Sequence, residues 1–272
     1  MTKSQQAEYE SQGWLLIKQC LSDIELSDLR SAFEQVEGNV LDDLPNSHDV
    51  FIHLAAHASA LPIIHRIIGD NIQLHSLEGM KCRPGEVGTG WKRNVAGILG
   101  IDHPNSNVMV QTLFYLDDIS KDSGAVLAVP GSQRFKSELP IHGVSRNEDM
   151  PHSVSVTPQA GDALILHGNL WQARTANRSD RAIRWLRYDY IHCWMRHALP
   201  ALSEHAEEVA SQTHNLSQLF ATSLPHTSAS GYWGRELEGF PPSGGLPERK
   251  FSELCVVGRE HQPNSSDPLG RL

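Results

Sequence analysis

The chain has 272 residues, 39% hydrophobic and 20% charged, a balance that suits a globular protein with a sizeable core. Its formal net charge of -9 argues against nonspecific nucleic-acid binding, which needs a basic footprint, and against an anionic membrane surface. No stretch approaches the ~18 uninterrupted apolar residues of a membrane span, and Met1-Thr-Lys-Ser-Gln-Gln6 carries no apolar secretion-signal core. Cys20, Cys82, Cys193 and Cys255 form no C-x-x-C pair, so neither a disulfide framework nor a zinc knuckle is expected. These features predict a cytoplasmic chain with reduced thiols.

The first 40 residues read as helix, strand, helix. Gly13-Trp-Leu-Leu-Ile17 is a short apolar run after a glycine, which suits a strand. Ser22-x-x-Glu25 has the capping-box pattern; Leu26, Leu29, Phe33 and Val36 follow at helical spacing, and Gly38 closes the run. Helical segments continue over 50–68 and stop at Gly69. His53 and His57 sit there at i, i+4, but no glutamate follows His53, so a surface or core pair is expected rather than a zinc site.

From about residue 71 the period becomes two. Val108, Val110, Thr112, Phe114 and Leu116 alternate with Met109, Gln111, Leu113 and Tyr115. Shorter strand-like runs follow at 125–129, 153–156, 163–167 and 183–191, separated by turn signals such as Asp122-Ser-Gly124 and Gln159-Ala-Gly-Asp162. This spacing predicts an antiparallel sandwich or barrel. After Trp194 the pattern weakens: 204–219 is weakly helical, 223–248 is rich in Gly, Pro and Ser, and 258–272 is a polar tail expected to be mobile. No internal repeat is found.

The order of landmarks resembles the phytanoyl-CoA dioxygenase (PhyH-like) family of iron(II)/2-oxoglutarate oxygenases. Tyr9-Glu-Ser-Gln-Gly-Trp14 is similar to that family's Tyr-x-x-x-Gly-aromatic start, and Trp91-Lys-Arg-Asn94 stands at its Trp-His-x-Asp motif. Tyr115-Leu-Asp-Asp118, Asp122-Ser-Gly124, Pro130-Gly-Ser-Gln133, Gly161-Asp162, Leu170-Trp-Gln-Ala173 and Asn177-Arg-Ser-Asp-Arg181 follow in the family's order. The resemblance implies a mainly β fold with flanking helices, a double-stranded β-helix of the jelly-roll, cupin-like kind. It also implies a domain over 1–195 that includes the N-terminal helices. Residues 196–272 would then be a helical or irregular extension packed on the same domain.

The resemblance places Lys92, Asn94 and Gln172 where the family has its iron ligands, and Gln133 where it has a further histidine. A 2-His-1-carboxylate centre needs two imidazoles and an anion; Lys, Asn and Gln supply neither. No metal ligand is therefore expected, and iron(II) and 2-oxoglutarate are not expected as cofactors. His103-x-Asn105 lacks a carboxylate, His167 stands at odd spacing from Gln172 and so on the opposite strand face, and His75 is expected as a satisfied strand histidine. Arg184 is the candidate for the carboxylate-binding arginine, with Arg181 and Arg187 as alternatives.

If the barrel survives, Lys92, Asn94 and Gln172 face its mouth, joined by Gln111 on the long central strand. Lys92 is then a candidate base, donor or nucleophile, or simply a binding lysine. Trp91, Trp171 and Arg184 are the candidate substrate contacts, with Trp185 nearby, although core packing explains tryptophans equally well. Three readings follow. The chain is a metal-independent isomerase, cyclase or lyase acting on a medium-sized, secondary-metabolite-like substrate; a catalytically silent partner of an active paralogue, in a homo- or hetero-oligomer; or an oxygenase with unusual ligands.

Overall fold

The computed structural model describes residues 1–36, 40–95, 107–135 and 144–222. Gly38, His103, Asn105, Cys255 and the segments 223–248 and 258–272 lie outside the described residues, and the described part falls in one compact unit, Met1–Ser223.

Two helices open the chain, α1 (Lys3–Gln12) and α2 (Asp23–Glu34), and both begin with a capping box. In the second, the Ser22 hydroxyl accepts from Glu25 N–H while the Glu25 carboxylate accepts from Ser22 N–H, as the Ser-x-x-Glu pattern predicts. Gly13 ends α1 at φ +90°. A Cβ there would stand 2.5 Å from Gln133 Oε1, so this left-handed and crowded turn admits only glycine. Between the two helices lies β1 (Trp14–Ile17). Short helices α3 (Leu44–Ser47), α4 (Asp49–Leu54) and α5 (Leu61–Ile68) follow β2 (Val40–Leu41), and α6 (Glu204–Ala210) and α7 (His214–Leu219) come last.

The remaining strands are β3 (Ile72–Cys82), β4 (Met109–Tyr115), β5 (Val126–Ala128), β6 (Val154–Val156), β7 (Ala163–His167), β8 (Gln172–Arg174) and β9 (Ile183–His192). They form an antiparallel six-stranded sheet, β1-β7-β4-β9-β3-β2, facing a three-stranded sheet, β6-β5-β8. This is the mainly β jelly-roll arrangement with flanking helices. Among the described residues no helix is long and apolar enough to cross a membrane.

Strand alternation sorts the large sheet into two faces. Val110, Phe114, Ile165, Leu186, Tyr188 and Tyr190 pack outward under the helices. Leu113, Tyr115, Leu164, Leu166, Ile183 and Trp185 point inward against Val126 and Ala128 of the small sheet. The Tyr188 and Tyr190 hydroxyls donate to the carbonyls of Phe51 and Ala55, fixing α4 on the outer face. A bulge between Leu74 and Ser76 changes the parity of β3. Before it Leu74 faces the helices; after it Ser76, Glu78, Met80 and Cys82 take the inward side, while Gly79 meets Phe33 and Leu41 outside.

Arg184 lies on the outer face. Its guanidinium donates twice to Asp117 at 2.9 Å, its backbone N–H donates to the same carboxylate, and a further donor reaches Glu34 on α2. It therefore latches α2 and the turn after β4 to β9, which corrects its expected place in the pocket. Arg184→Met leaves Asp117, itself largely buried, with only the backbone N–H of residue 184 and the Arg30 guanidinium at 3.9 Å. The variant should lose about 2 kcal/mol in chemical denaturation and bind ligands between the sheets as the parent does.

His167, at the end of β7, also faces the helices, with its ring stacked on Tyr9 at 6.1 Å and Nδ1 accepting from Asn169 N–H. Burial pushes its pKa down to about 4. The folded state thus keeps the ring neutral while the unfolded chain protonates near pH ~6.5. This contribution is complete above that pH and declines as pH falls towards about 4, by on the order of 3 kcal/mol. Urea midpoints measured from pH 7 to 4.5 should show the decline, and His167→Gln should reduce it.

Candidate functional site

The inward face of β3, β9 and β4 forms three rungs of cross-strand neighbours. Ser76, Asp189 and Gln111 make the first, Glu78, Arg187 and Leu113 the second, and Met80, Trp185 and Tyr115 the third. The first two rungs are polar where a sandwich core is ordinarily apolar. Asp189 is buried, and such a carboxylate persists only with hydrogen bonds and a counter-charge. Gln111 Nε2 donates to Oδ1 at 2.9 Å and Ser76 Oγ to Oδ2 at 3.0 Å. Arg187 Nε lies 3.3 Å from Oδ2, an ion pair without hydrogen-bond alignment. The same guanidinium donates to the Glu78 carboxylate.

The small sheet contributes from the opposite side. Gln172 and Arg174 pair with Ala128 and Val126, so they share the inward face of those residues. Gln172 Nε2 reaches Gln111 Oε1 at 3.5 Å. Arg174 lies over the Trp185 ring at 3.6 Å and donates to the Gly124 carbonyl at 2.7 Å. Lys92 forms a β-bridge with Gln172 and is exposed, at the rim of the space between the sheets.

This interior is not dry. The Glu78 and Arg187 side chains keep 21% and 24% of their surface exposed despite pointing inward, so solvent reaches the middle rung. Desolvation raises the Glu78 pKa against the opposing pull of Arg187. A carboxyl group with a raised pKa, reachable by solvent and fixed by an arginine, is suited to proton transfer.

The structure brings Gln111, Gln172 and Lys92 to one end of the barrel. Asn94 begins a helical turn beside them, next to Val95, whose N–H donates to the Gly168 carbonyl. Trp91 and Trp171 are instead together in a separate apolar cluster with Val129 and Met150, where Arg93 covers the Trp171 ring at 4.9 Å. Gln133 Nε2 donates to the Glu10 carbonyl and holds α1 on the sheet. His75 sits at the bulge, with Nδ1 3.2 Å from the Arg196 carbonyl. Sequence reasoning missed Ser76, Glu78, Arg174 and Asp189 and offered Arg187 only as an alternative. The signal for the β9 pair was present: Arg187 and Asp189 share parity with Trp185, while Arg184 has the opposite parity.

Comparison with known proteins places this architecture. The chain is 24% identical over 216 residues to dioxygenase af480 of Aspergillus fumigatus, covering 69% of this chain and 66% of that protein, just under two thirds of its length. HygX of Streptomyces hygroscopicus, in a crystal structure with nickel and 2-oxoglutarate bound, superposes with a TM-score of 0.63 at 21% identity over 71% of this chain and 88% of that one. HygX has also been crystallised with iron. The non-heme alpha-ketoglutarate-dependent carbocyclase SnoK from nogalamycin biosynthesis gives 0.60 at 19% identity over 76% and 90%.

These neighbours overturn the expectation that neither iron nor 2-oxoglutarate belongs with this chain. The fold is one that holds 2-oxoglutarate with nickel in one HygX structure and iron in another. The phytanoyl-CoA dioxygenase (PhyH) family profile matches residues 40–185, more than half of the chain. The chain belongs to the phytanoyl-CoA dioxygenase family.

Proposed function

We propose that this protein is an enzyme acting on a medium-sized, secondary-metabolite-like organic substrate bound between the two sheets, and that its chemistry is proton transfer centred on Glu78. The observation that carries this reading is the hydrogen-bonded, solvent-reachable set Glu78–Arg187–Asp189–Gln111 on adjacent rungs. Arg187 fixes the Glu78 carboxylate, and Asp189, held by Ser76 and Gln111, in turn positions Arg187. Burial raises the carboxyl pKa, with Arg187 opposing the shift, and so favours the protonated form relative to a free carboxylate. Lys92 and Gln172 at the rim are the donors for a substrate oxygen.

Lys92, Asn94 and Gln172 occupy the iron-ligand positions in this reading, which the Lys92–Gln172 bridge at the barrel mouth supports. An ammonium has no lone pair and the two amides carry no charge, so this donor set does not fit a 2-His-1-carboxylate centre. No step is therefore routed through those three residues as metal ligands. A redox-neutral isomerisation, cyclisation or elimination is the class of reaction that one positioned carboxyl group can serve.

The test is conversion of candidate polycyclic and glycosidic metabolites in D2O, read by mass spectrometry. Expected is a product of unchanged mass, or one lighter by water, apart from solvent-derived deuterium. Glu78→Gln should slow it by about 10²-fold or more, while Lys92→Met should mainly raise KM. A product gaining one oxygen with stoichiometric succinate would overturn the reading. Conversion only after addition of an intact paralogue would move the protein to the silent-partner role.

A further inference from the structure

A cavity of about 400 Å³, a size in the range of small-molecule sites, lies outside the barrel. It sits on the helix-covered face of the large sheet, among α1, α5, the turn Ser132–Arg134 and the end of β7. The space between the sheets is on the other side of that sheet. Its inner wall is formed by Tyr9 and His167, both buried, with their rings stacked. The Tyr9 hydroxyl is buried without a hydrogen-bond partner, and burial pushes its pKa up, so it remains a donor. His167 Nδ1 accepts from Asn169 N–H, so the ring proton sits on Nε2, which has no acceptor among the described residues. Buried donors without acceptors are rare and costly, and a ligand oxygen that reaches them removes the cost. The outer wall differs. Arg66 and Arg134 are exposed, and among the described residues neither has an ion pair; Arg134 has a 3.5 Å contact to the Ser11 carbonyl. Against these two cations the described lining has one acid, Glu10, which accepts from Gln6 Nε2. Ile67 and the faces of the Tyr9 and His167 rings supply apolar surface between the two ends.

We propose that this outer cavity binds a hydroxy-substituted aromatic acid, with the hydroxyl at Tyr9 and His167 and the carboxylate at Arg66 and Arg134. The site goes beyond the functional reading above and does not rest on it, because nothing between the sheets takes part. A hydroxyl oxygen has two lone pairs, one for each inner donor. A carboxylate matches the forked donors of a guanidinium. A flat carbon body suits a wall of stacked rings. The inner end sets the specificity: a rim of arginines alone would take any anion, whereas an acid lacking the oxygen leaves two buried donors unpaired and binds more weakly.

NMR titration of the full-length chain with 4-hydroxycinnamate, cinnamate and methyl 4-hydroxycinnamate tests this. 4-Hydroxycinnamate should bind saturably with a Kd of about 1 mM or tighter. Cinnamate, which lacks the hydroxyl, and the ester, which lacks the charge, should bind about tenfold more weakly. Tyr9→Phe should weaken 4-hydroxycinnamate about tenfold and leave cinnamate unchanged, a pattern that loss of folding does not produce. Arg66→Gln and Arg134→Gln, both at exposed positions, should weaken both acids about fivefold or more and leave the ester unchanged. Glu78→Gln should leave all these affinities as they are. The proposal is overturned by absence of saturable 4-hydroxycinnamate binding, by equal binding of cinnamate, or by an affinity that Tyr9→Phe and the arginine variants leave unchanged. Binding lost in Glu78→Gln but kept in Arg66→Gln would put the probe between the sheets, which also overturns it. Every readout is binding without turnover, so the outcome is independent of whether Glu78 is catalytic.

Discussion

The interior depends on one buried anion. Asp189 sits in the middle of β9, between β3 and β4, where a carboxylate without partners would cost several kcal/mol. Each neighbouring strand supplies one of its hydrogen bonds, Ser76 from β3 and Gln111 from β4, and Arg187 supplies the charge. That arrangement requires the bulge before Ser76. Without it, the inward parity of Gln73 would continue to His75 and Leu77, and Ser76 and Glu78 would face the helices. One extra residue in β3 thus determines whether a carboxyl group stands in the middle of the barrel.

Much of the fold was legible because its signals are local. The Ser22-x-x-Glu25 box forms as written, and β4 alternates as Val110, Thr112 and Phe114 predict. The family-like landmarks proved to be structural staples. The Asp162 carboxylate accepts from Gln19 N–H and Gln159 N–H, Asp117 holds Arg184, and Asn177 donates to the carbonyls of Cys82 and Arg181. Such contacts satisfy backbone groups at turns that every barrel of this shape must make. They therefore retain the fold's pattern whatever the site residues are.

The site was less legible, for two physical reasons. Counting from Gln172 to an arginine compares strands in different sheets, and side-chain parity does not carry across a turn between sheets; hence Arg184 was placed inside when it latches a helix outside. The bulge at His75 is silent in the hydrophobic pattern, because β3 alternates only over Ile72-Gln73-Leu74 before it and is mixed after it. Glu78 therefore carried no signal of its inward position. Arg174 carried no signal at all, since a three-residue strand has no measurable period.

The two families of charge in the barrel do different work. Arg187 is neutralised twice over, so its guanidinium is committed to orienting Glu78 and is not free to hold a ligand. Arg174 is the opposite case, a cation stacked on an indole and hydrogen-bonded to a backbone carbonyl. Guanidinium is weakly hydrated and tolerates an aromatic face, so it can wait there at a smaller cost than an ammonium would. The two arginines thus hold different places between the sheets, one paired to Glu78 and Asp189 and the other stacked on Trp185. The Glu78 and Trp185 rungs are adjacent, two residues of β9 apart, so the two arginines stand at neighbouring levels of the barrel.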